Sequence, residues 1–339
     1  MIGPFPNVPL ADRGRMVALR SLAPALGNNP WGDPPERDVF VYTPPGYAES
    51  AARYPTVLVL PGFASAGEKL LARGLFELSM ATRIDRLIAD GTPPFLAVLP
   101  DCMTTLGGSQ YVDSPVLGPY ASYLRHDVLP LVDTNFRTNG KWGVVGKSSG
   151  GFGALRLAMS FPGVFDAVVC HSGDLGFDLC YLEDIPAAVR AISRVGSAAE
   201  FVSAFWAKQH PSRDDFAALN ILCMSAAYAA ERVAAPFPAP LPVDMRTGRV
   251  DFAVLESWRA HDPIERVVNE GVGLSSLRLL QIDCGESDEH LLQLGARRFT
   301  ARLRELDIAH EYEEFPGGHR GTSHRYDRSL PAIVRSLVE

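Results

Sequence analysis

The sequence predicts an α/β protein, a doubly wound and mainly parallel sheet carrying a helical insertion, and three observations lead to that class. Short apolar runs alternate with longer segments of helical period. Most of the runs close on Gly, Pro or Asp, the residues with which a strand hands over to a loop. A chain of 339 residues with 47% apolar content can bury the core such a sheet needs.

The strands are expected in this order. RDVFVYTP (37–44) reads as an early strand and TVLVLPG (56–62) as a buried one. FLAVLPD (95–101), WGVVG (142–146), AVVCHSG (167–173), LRLLQIDCG (277–285) and HEYEEFPGG (310–318) complete the set. Helices are expected over 75–91, 120–136, 149–162, 288–307 and the C-terminal YDRSLPAIVRSLVE. In the fourth of these, Leu291, Leu294, Phe299 and Leu303 give an inward stripe.

Between about 175 and 262 the alternation stops: helical stretches and the proline-rich PFPAPLP (236–242) replace strands. The expected organisation is therefore an N-terminal extension (1–36), a core in two pieces (37–174 and 263–339) and a helical cap inserted at 175–262. Phe201, Phe205, Trp206, Phe216, Tyr228 and Trp258 give that cap an aromatic population, suited to an apolar lid over the carboxyl edge where such sheets bind ligands.

Composition narrows the function. A formal net charge of -7 and the absence of a Lys/Arg cluster point away from nucleic acid and toward a small-molecule partner. The five cysteines, Cys102, Cys170, Cys180, Cys223 and Cys284, lack metal-ligand or disulfide spacing, so neither a metal nor a cofactor is implied. No signal-peptide pattern opens the sequence and no apolar run reaches the roughly 18 residues of a membrane span. The expectation is a soluble, cytoplasmic protein with no membrane partner; the sequence is equally compatible with a monomer and a homo-oligomer.

Gly146-Lys147-Ser148 admits two chemistries. A phosphate-binding loop needs a glycine five positions before Gly146, but Lys141 stands there, and Trp142–Val145 reads as strand rather than as a phosphate cradle. The alternative fits each position. Gly146-Lys147-Ser148-Ser149-Gly150 satisfies G-x-S-x-G between an apolar strand and a helix, where a serine sits on a strained turn and flanking bulk would clash. The helix start supplies positive potential, and the Ser149 N–H is aimed at an oxyanion formed beside Ser148.

A serine hydroxyl needs a base, itself oriented by a carboxylate. In the chain order serine, acid, histidine, Asp288 lies in the loop after a late strand and His319 in a glycine-rich loop near the C-terminus. Asp283 and Glu286 compete with Asp288, but Asp283 still belongs to the strand. His324 competes with His319, yet stands at the start of a helix, where surface or capping roles prevail.

LPDCMTTLGGSQYVDS, YLRHDVLPLVDTNFRT, VVGKSSGGFGAL, DCGESDEHLL before a helix and FPGGH after a strand, in that order, resemble the esterase family of α/β-hydrolases. That family includes S-formylglutathione hydrolases, feruloyl esterases and mycolyltransferases. The resemblance implies an α/β-hydrolase fold and a serine esterase acting through an acyl-enzyme, with Ser148 as nucleophile, Asp288 as acid and His319 as base. It also points to the N–H of Phe63, in LPGFAS, as the second oxyanion donor. Ser149 departs from the Met, Gln or Leu common after the nucleophile. Gly62, Lys147, His171, Gln110, Tyr111 and Trp206 are the further candidates for the pocket. The same acyl-enzyme serves an acyltransferase, and a non-catalytic binding protein on the same scaffold is a third reading.

Overall fold

The computed structural model describes residues 8–9, 12–74, 77–230 and 237–338. Eight strands form one sheet: β1 (Arg15–Leu22), β2 (Glu36–Thr43), β3 (Tyr54–Leu60), β4 (Leu96–Pro100), β5 (Thr138–Lys147), β6 (Ala167–His171), β7 (Leu279–Gly285) and β8 (Glu311–Phe315). Their spatial order is β1-β2-β4-β3-β5-β6-β7-β8. β1 and β2 run antiparallel to their neighbours, and the remaining pairs are parallel. From β3 the chain passes to β4 on one side and then to β5 on the other, so the crevice between β3 and β5 is the switch point where open sheets place ligands.

Each expected strand is present, and β5 runs farther back, to Thr138, than its apolar run shows. β1 is an addition. It lies within the stretch read as an N-terminal extension and pairs along its whole length with β2. Edge strands bury little, and five of its eight residues are exposed, so the sequence carries no clean period there.

The pleat explains the two cores. Val57 and Val59 of β3 face one cluster, with Ile84 and Ile333, while Leu58 and Leu60 face the other, with Leu155 and Phe152. The first face is covered by α1 (Met80–Ala89) and the C-terminal Tyr326–Val338, the second by α2 (Ser149–Ser160) and the helical run Tyr120–Asn135. The predicted start of α1 at 75 and 76 lies outside the described residues; Ser79 caps the helix by accepting the Thr82 N–H. A π turn, Leu124–Val128, interrupts the run from Tyr120 to Asn135.

Between β6 and β7 stand α3 (Ile185–Ser193), α4 (Ala198–Trp206), α5 (Arg213–Tyr228) and α6 (Phe252–Arg259). Residues 231–236, which include the first proline of PFPAPLP, lie outside the described residues. A capping box fixes the start of α5, with Ser212 accepting from the Asp215 N–H and Asp215 accepting from the Ser212 N–H. Twelve of its sixteen residues are buried, so α5 is a central helix of the segment between β6 and β7 and has no wide polar face.

The turn from β5 into α2 tolerates no side chain at its glycines. A Cβ at Gly146 would stand 2.2 Å from the Gly150 carbonyl oxygen, and one at Gly150 would stand 2.2 Å from the Leu60 carbonyl oxygen. Both obstacles are backbone. Gly150→Ala is therefore expected to destabilise the fold by about 3 kcal/mol or more, read as a drop in the denaturant midpoint; a midpoint within error of wild type would show that β3 and α2 can separate cheaply.

Candidate active site

Ser148 occupies the tip of that turn with φ 57° and ψ -127°, a conformation rare for any residue with a Cβ. Its N–H donates to the His171 carbonyl at 2.9 Å, which ties the strained residue to β6. α2 begins at the next residue, so the Ser149 N–H is among the first-turn donors that have no intrahelical acceptor. Opposite it, a Cβ on Gly62 would stand 3.4 Å from the Ser148 Cβ, which places the loop after β3 against the Ser148 turn. Ala64, with φ 56°, holds that loop by donating its N–H to the Gly107 carbonyl.

The two late loops meet because glycines let them. A Cβ on Gly285 would fall 2.5 Å from the Gly318 carbonyl oxygen, and the Ser287 N–H donates to the Gly317 carbonyl at 2.9 Å. From this contact His319 Nδ1 lies 2.8 Å from Asp288 Oδ2, and His319 Nε2 lies 3.1 Å from Ser148 Oγ. A carboxylate accepts, so Nδ1 carries the proton and Nε2 is left as an acceptor toward the serine hydroxyl. The Glu289 carboxylate receives the His319 N–H and fixes the loop from the other side.

Asp288 is 2% exposed. Burial alone would raise its pKa; the hydrogen bond and charge of His319 and the N–H of His290 outweigh burial and hold it below the ordinary aspartate range. Asp283, the competing acid, is part of a different assembly: it takes His171 Nδ1 at 2.8 Å and Arg325 Nε at 2.9 Å. His171 also contacts Ser329 Oγ at 2.8 Å, so it cross-links β6, β7 and the C-terminal helix and does not line the cavity. His324 is exposed and within 3.3 Å of the Gly321 carbonyl.

A cavity of about 720 Å³ opens over Ser148, bounded by the loop of Gly62 and Phe63 and by Arg213, Phe216 and Asn220 of α5. Phe216 meets Phe63 edge-on with centroids 5.4 Å apart. Lys147 also lines this cavity; burial pushes its pKa down against the opposing pull of Asp288, Glu77 and Glu289.

Besides His171, three of the expected pocket residues do not line it. Trp206 is 51% exposed and donates its indole N–H to the Thr105 carbonyl, outside the cavity lining. Tyr111 is buried behind α2, donating its hydroxyl to the Pro61 carbonyl, and Gln110 is buried beneath the cavity floor with its amide on Asp174. Among the described residues no group of three or more His, Cys, Asp or Glu side chains could hold a metal ion, and no helix is long and apolar enough to cross a membrane.

Sequence reasoning passed over Asp174 and Asn220 and read His290, which forms no motif, as solvated or structural; all three line the cavity. His290 packs edge-on against His319 with centroids 5.0 Å apart and pairs with Glu183. For Asp174 a signal existed: it follows His171-Ser172-Gly173 at the carboxyl end of a buried strand, next to the one that carries the serine. Asn220 had none, since its place depends on how α5 lies over the sheet.

The strand order, the glycine-bound serine turn and the late acid and histidine loops define an α/β-hydrolase fold. The sequence matches the family described as Putative esterase over residues 34–337, and the chain belongs to that family. Two curated relatives, Esterase Rv1288 and Esterase MT1326 of two Mycobacterium tuberculosis strains, are each 24% identical over 333 residues, 95% of this chain. The match covers 59% of the length of each. Among solved structures, an S-formylglutathione hydrolase from Agrobacterium tumefaciens shares the fold with a TM-score of 0.60 at 16% identity, covering 97% of this chain and 98% of that one. A ferulic acid esterase does so with a TM-score of 0.59 at 16% identity, covering 96% and 99%.

Proposed function

We propose that the chain is a serine esterase that hydrolyses small-molecule carboxylic esters through an acyl-enzyme. The observation that carries this reading is the continuous hydrogen-bonded relay from Ser148 Oγ through His319 to Asp288, seated at the mouth of a cavity on the switch-point crevice. His319 Nε2 takes the hydroxyl proton as Oγ forms its bond to the ester carbonyl, and then donates it to the leaving alcohol. Asp288 holds the imidazole in the Nδ1–H tautomer and stabilises its charged form. The N–H groups of Ser149 and Phe63 receive the oxyanion, at a typical worth of about 3 kcal/mol per donor. Water, deprotonated by the same histidine, attacks the acyl carbonyl, and Ser148 leaves with the proton restored. The helices between β6 and β7 serve as the cap that shapes the acyl and alcohol sites.

A fluorophosphonate probe tests this reading: labelling confined to the peptide that carries Ser148 is expected, and labelling elsewhere overturns it. Hydrolysis is favoured over acyl transfer by the polar lining of the cavity, where Asp184, Asn220 and Arg213 keep water within reach of the acyl-enzyme. With an added alcohol acceptor, free acid is therefore expected to remain the main product by chromatography; a dominant new ester would identify a transferase.

A further inference from the structure

Asp174 is 6% exposed and lines the cavity next to the nucleophile, yet the relay does not use it. Its Oδ2 is saturated, accepting from Ser149 Oγ at 2.9 Å, Tyr181 OH at 2.9 Å and Gln110 Nε2 at 3.3 Å. Among the described residues its Oδ1 has a single hydrogen-bond partner, the Ser148 hydroxyl at 3.4 Å. That hydroxyl has one hydrogen, and His319 Nε2 is the nearer acceptor at 3.1 Å. While the serine points to the histidine, Oδ1 therefore has no donor. Every group that reaches the carboxylate is neutral, so its charge is balanced by hydrogen bonds on one oxygen only.

The arrangement is rigidly built. Tyr228 OH lies 3.2 Å from Gln110 Nε2 and 3.4 Å from Tyr181 OH, closing a ring of polar contacts behind Oδ2. The amide of Gln110 is delivered by two successive residues at positive φ, Gln110 at 51° and Tyr111 at 53°. Such backbone costs of order 1 kcal/mol or more per residue and persists where the surroundings over-determine it.

Acylation sharpens the imbalance. Once Oγ carries an acyl group it has no hydrogen to give, and Oδ1 is left facing the acyl chain as an unpaired acceptor on a buried charge. With Oδ1 3.4 Å from Oγ, the first acyl carbon that can carry a donor toward it is the one next to the carbonyl. We infer that Asp174 is a specificity determinant that reads a hydrogen-bond donor, hydroxyl or ammonium, on the α-carbon of the acyl group, and that it turns away anionic acyl groups. This inference rests on the acyl-enzyme proposed above.

Three methyl esters of equal chain length test it by pH-stat: propanoate, 2-hydroxypropanoate and 2-aminopropanoate. Each kcat/KM is divided by that ester's hydroxide-catalysed rate, which removes intrinsic reactivity. The wild type is expected to favour the 2-hydroxy ester, and the 2-amino ester in its ammonium form, by ten-fold or more over propanoate. Asp174→Ala brings both ratios near one. Asp174→Asn, whose one carbonyl oxygen stays on the three donors at the Oδ2 position, turns its NH₂ toward the acyl chain; it retains a hydroxyl preference, because a hydroxyl also accepts, and loses the ammonium preference. Ratios taken within one preparation do not depend on the fraction folded, and if Asp174→Ala is inactive the Asp174→Asn pattern decides. Equal ratios in wild type, or ratios unchanged in the active variant, overturn the inference. Turnover of 4-nitrophenyl acetate and probe labelling of Ser148 in the same wild-type sample separate the two failures: if both persist without a donor preference, only the role of Asp174 falls, and if both are absent, the esterase reading falls with it.

Discussion

Replacing Ser148 by Ala is expected to remove 4-nitrophenyl acetate hydrolysis, lowering kcat by roughly 10⁴-fold or more, as loss of a nucleophile does where the other members act only through it. The melting temperature is not expected to fall. Ala keeps the Cβ that already stands at φ 57°, and the Oγ it removes is shared between two acceptors that compete for one hydrogen. Catalytic constellations of this kind are built at some expense of stability, so the variant melts at or above the wild-type temperature. Both measurements are needed. An inactive variant that also melts early would report on the turn, whereas inactivity at full stability isolates the hydroxyl. Turnover within ten-fold of wild type would place the nucleophile elsewhere.

What could be read from the sequence follows from which constraints are local. The turn at Ser148 was legible because its glycines answer to backbone atoms a few residues away, and Gly150 to the neighbouring strand end at Leu60. The buried strands were legible because both faces are covered, which makes their apolar runs continuous, as in the fully buried Tyr54–Leu60. β1 was not, since an edge strand with most of its residues in water has no pattern to display. His171 shows the opposite difficulty: its place at the end of β6 drew attention to the cavity, but its imidazole turns through the sheet to Asp283 and Ser329. Strand alternation decides that, because His171 lies one residue past Cys170, whose side chain faces the α2 side. Asp174, beyond the strand, is released from the alternation and returns to the cavity. The walls given by α5 depend on the packing of an insertion, where helical period fixes which face is buried but not what it is buried against.

On the proposed mechanism, Asp283 in β7 and Asp288 in the loop after it should separate catalysis from stability. Asp288→Asn is expected to lower kcat by about 10⁴-fold, because an amide in place of the carboxylate can donate to Nδ1 and stabilise the wrong imidazole tautomer. Its melting temperature should move little, since the Asn carbonyl can still receive the His290 N–H that now reaches Asp288 Oδ1 at 3.0 Å. Asp283→Asn is expected to do the reverse, keeping kcat within a few-fold while costing about 3 kcal/mol, the usual penalty for removing one partner of a buried ion pair. There the amide keeps a single acceptor oxygen, so the 6%-exposed Arg325 loses its carboxylate charge on β7, and either its Nε–H or the His171 Nδ1 meets an NH₂ in place of an oxygen. Burial works to raise the Asp283 pKa, but the hydrogen bonds and charges of His171 and Arg325 hold it below the ordinary value. A depressed carboxyl stabilises the fold fully above its unfolded pKa, near 3.9, and loses that contribution as the pH falls through the folded value. The gap in stability between wild type and Asp283→Asn should accordingly narrow as the pH falls below about 4, as read by denaturant melts. If Asp283→Asn instead abolishes turnover at full stability while Asp288→Asn remains active, the acid belongs to the strand, and the loop that carries Asp288 serves only to seat the histidine.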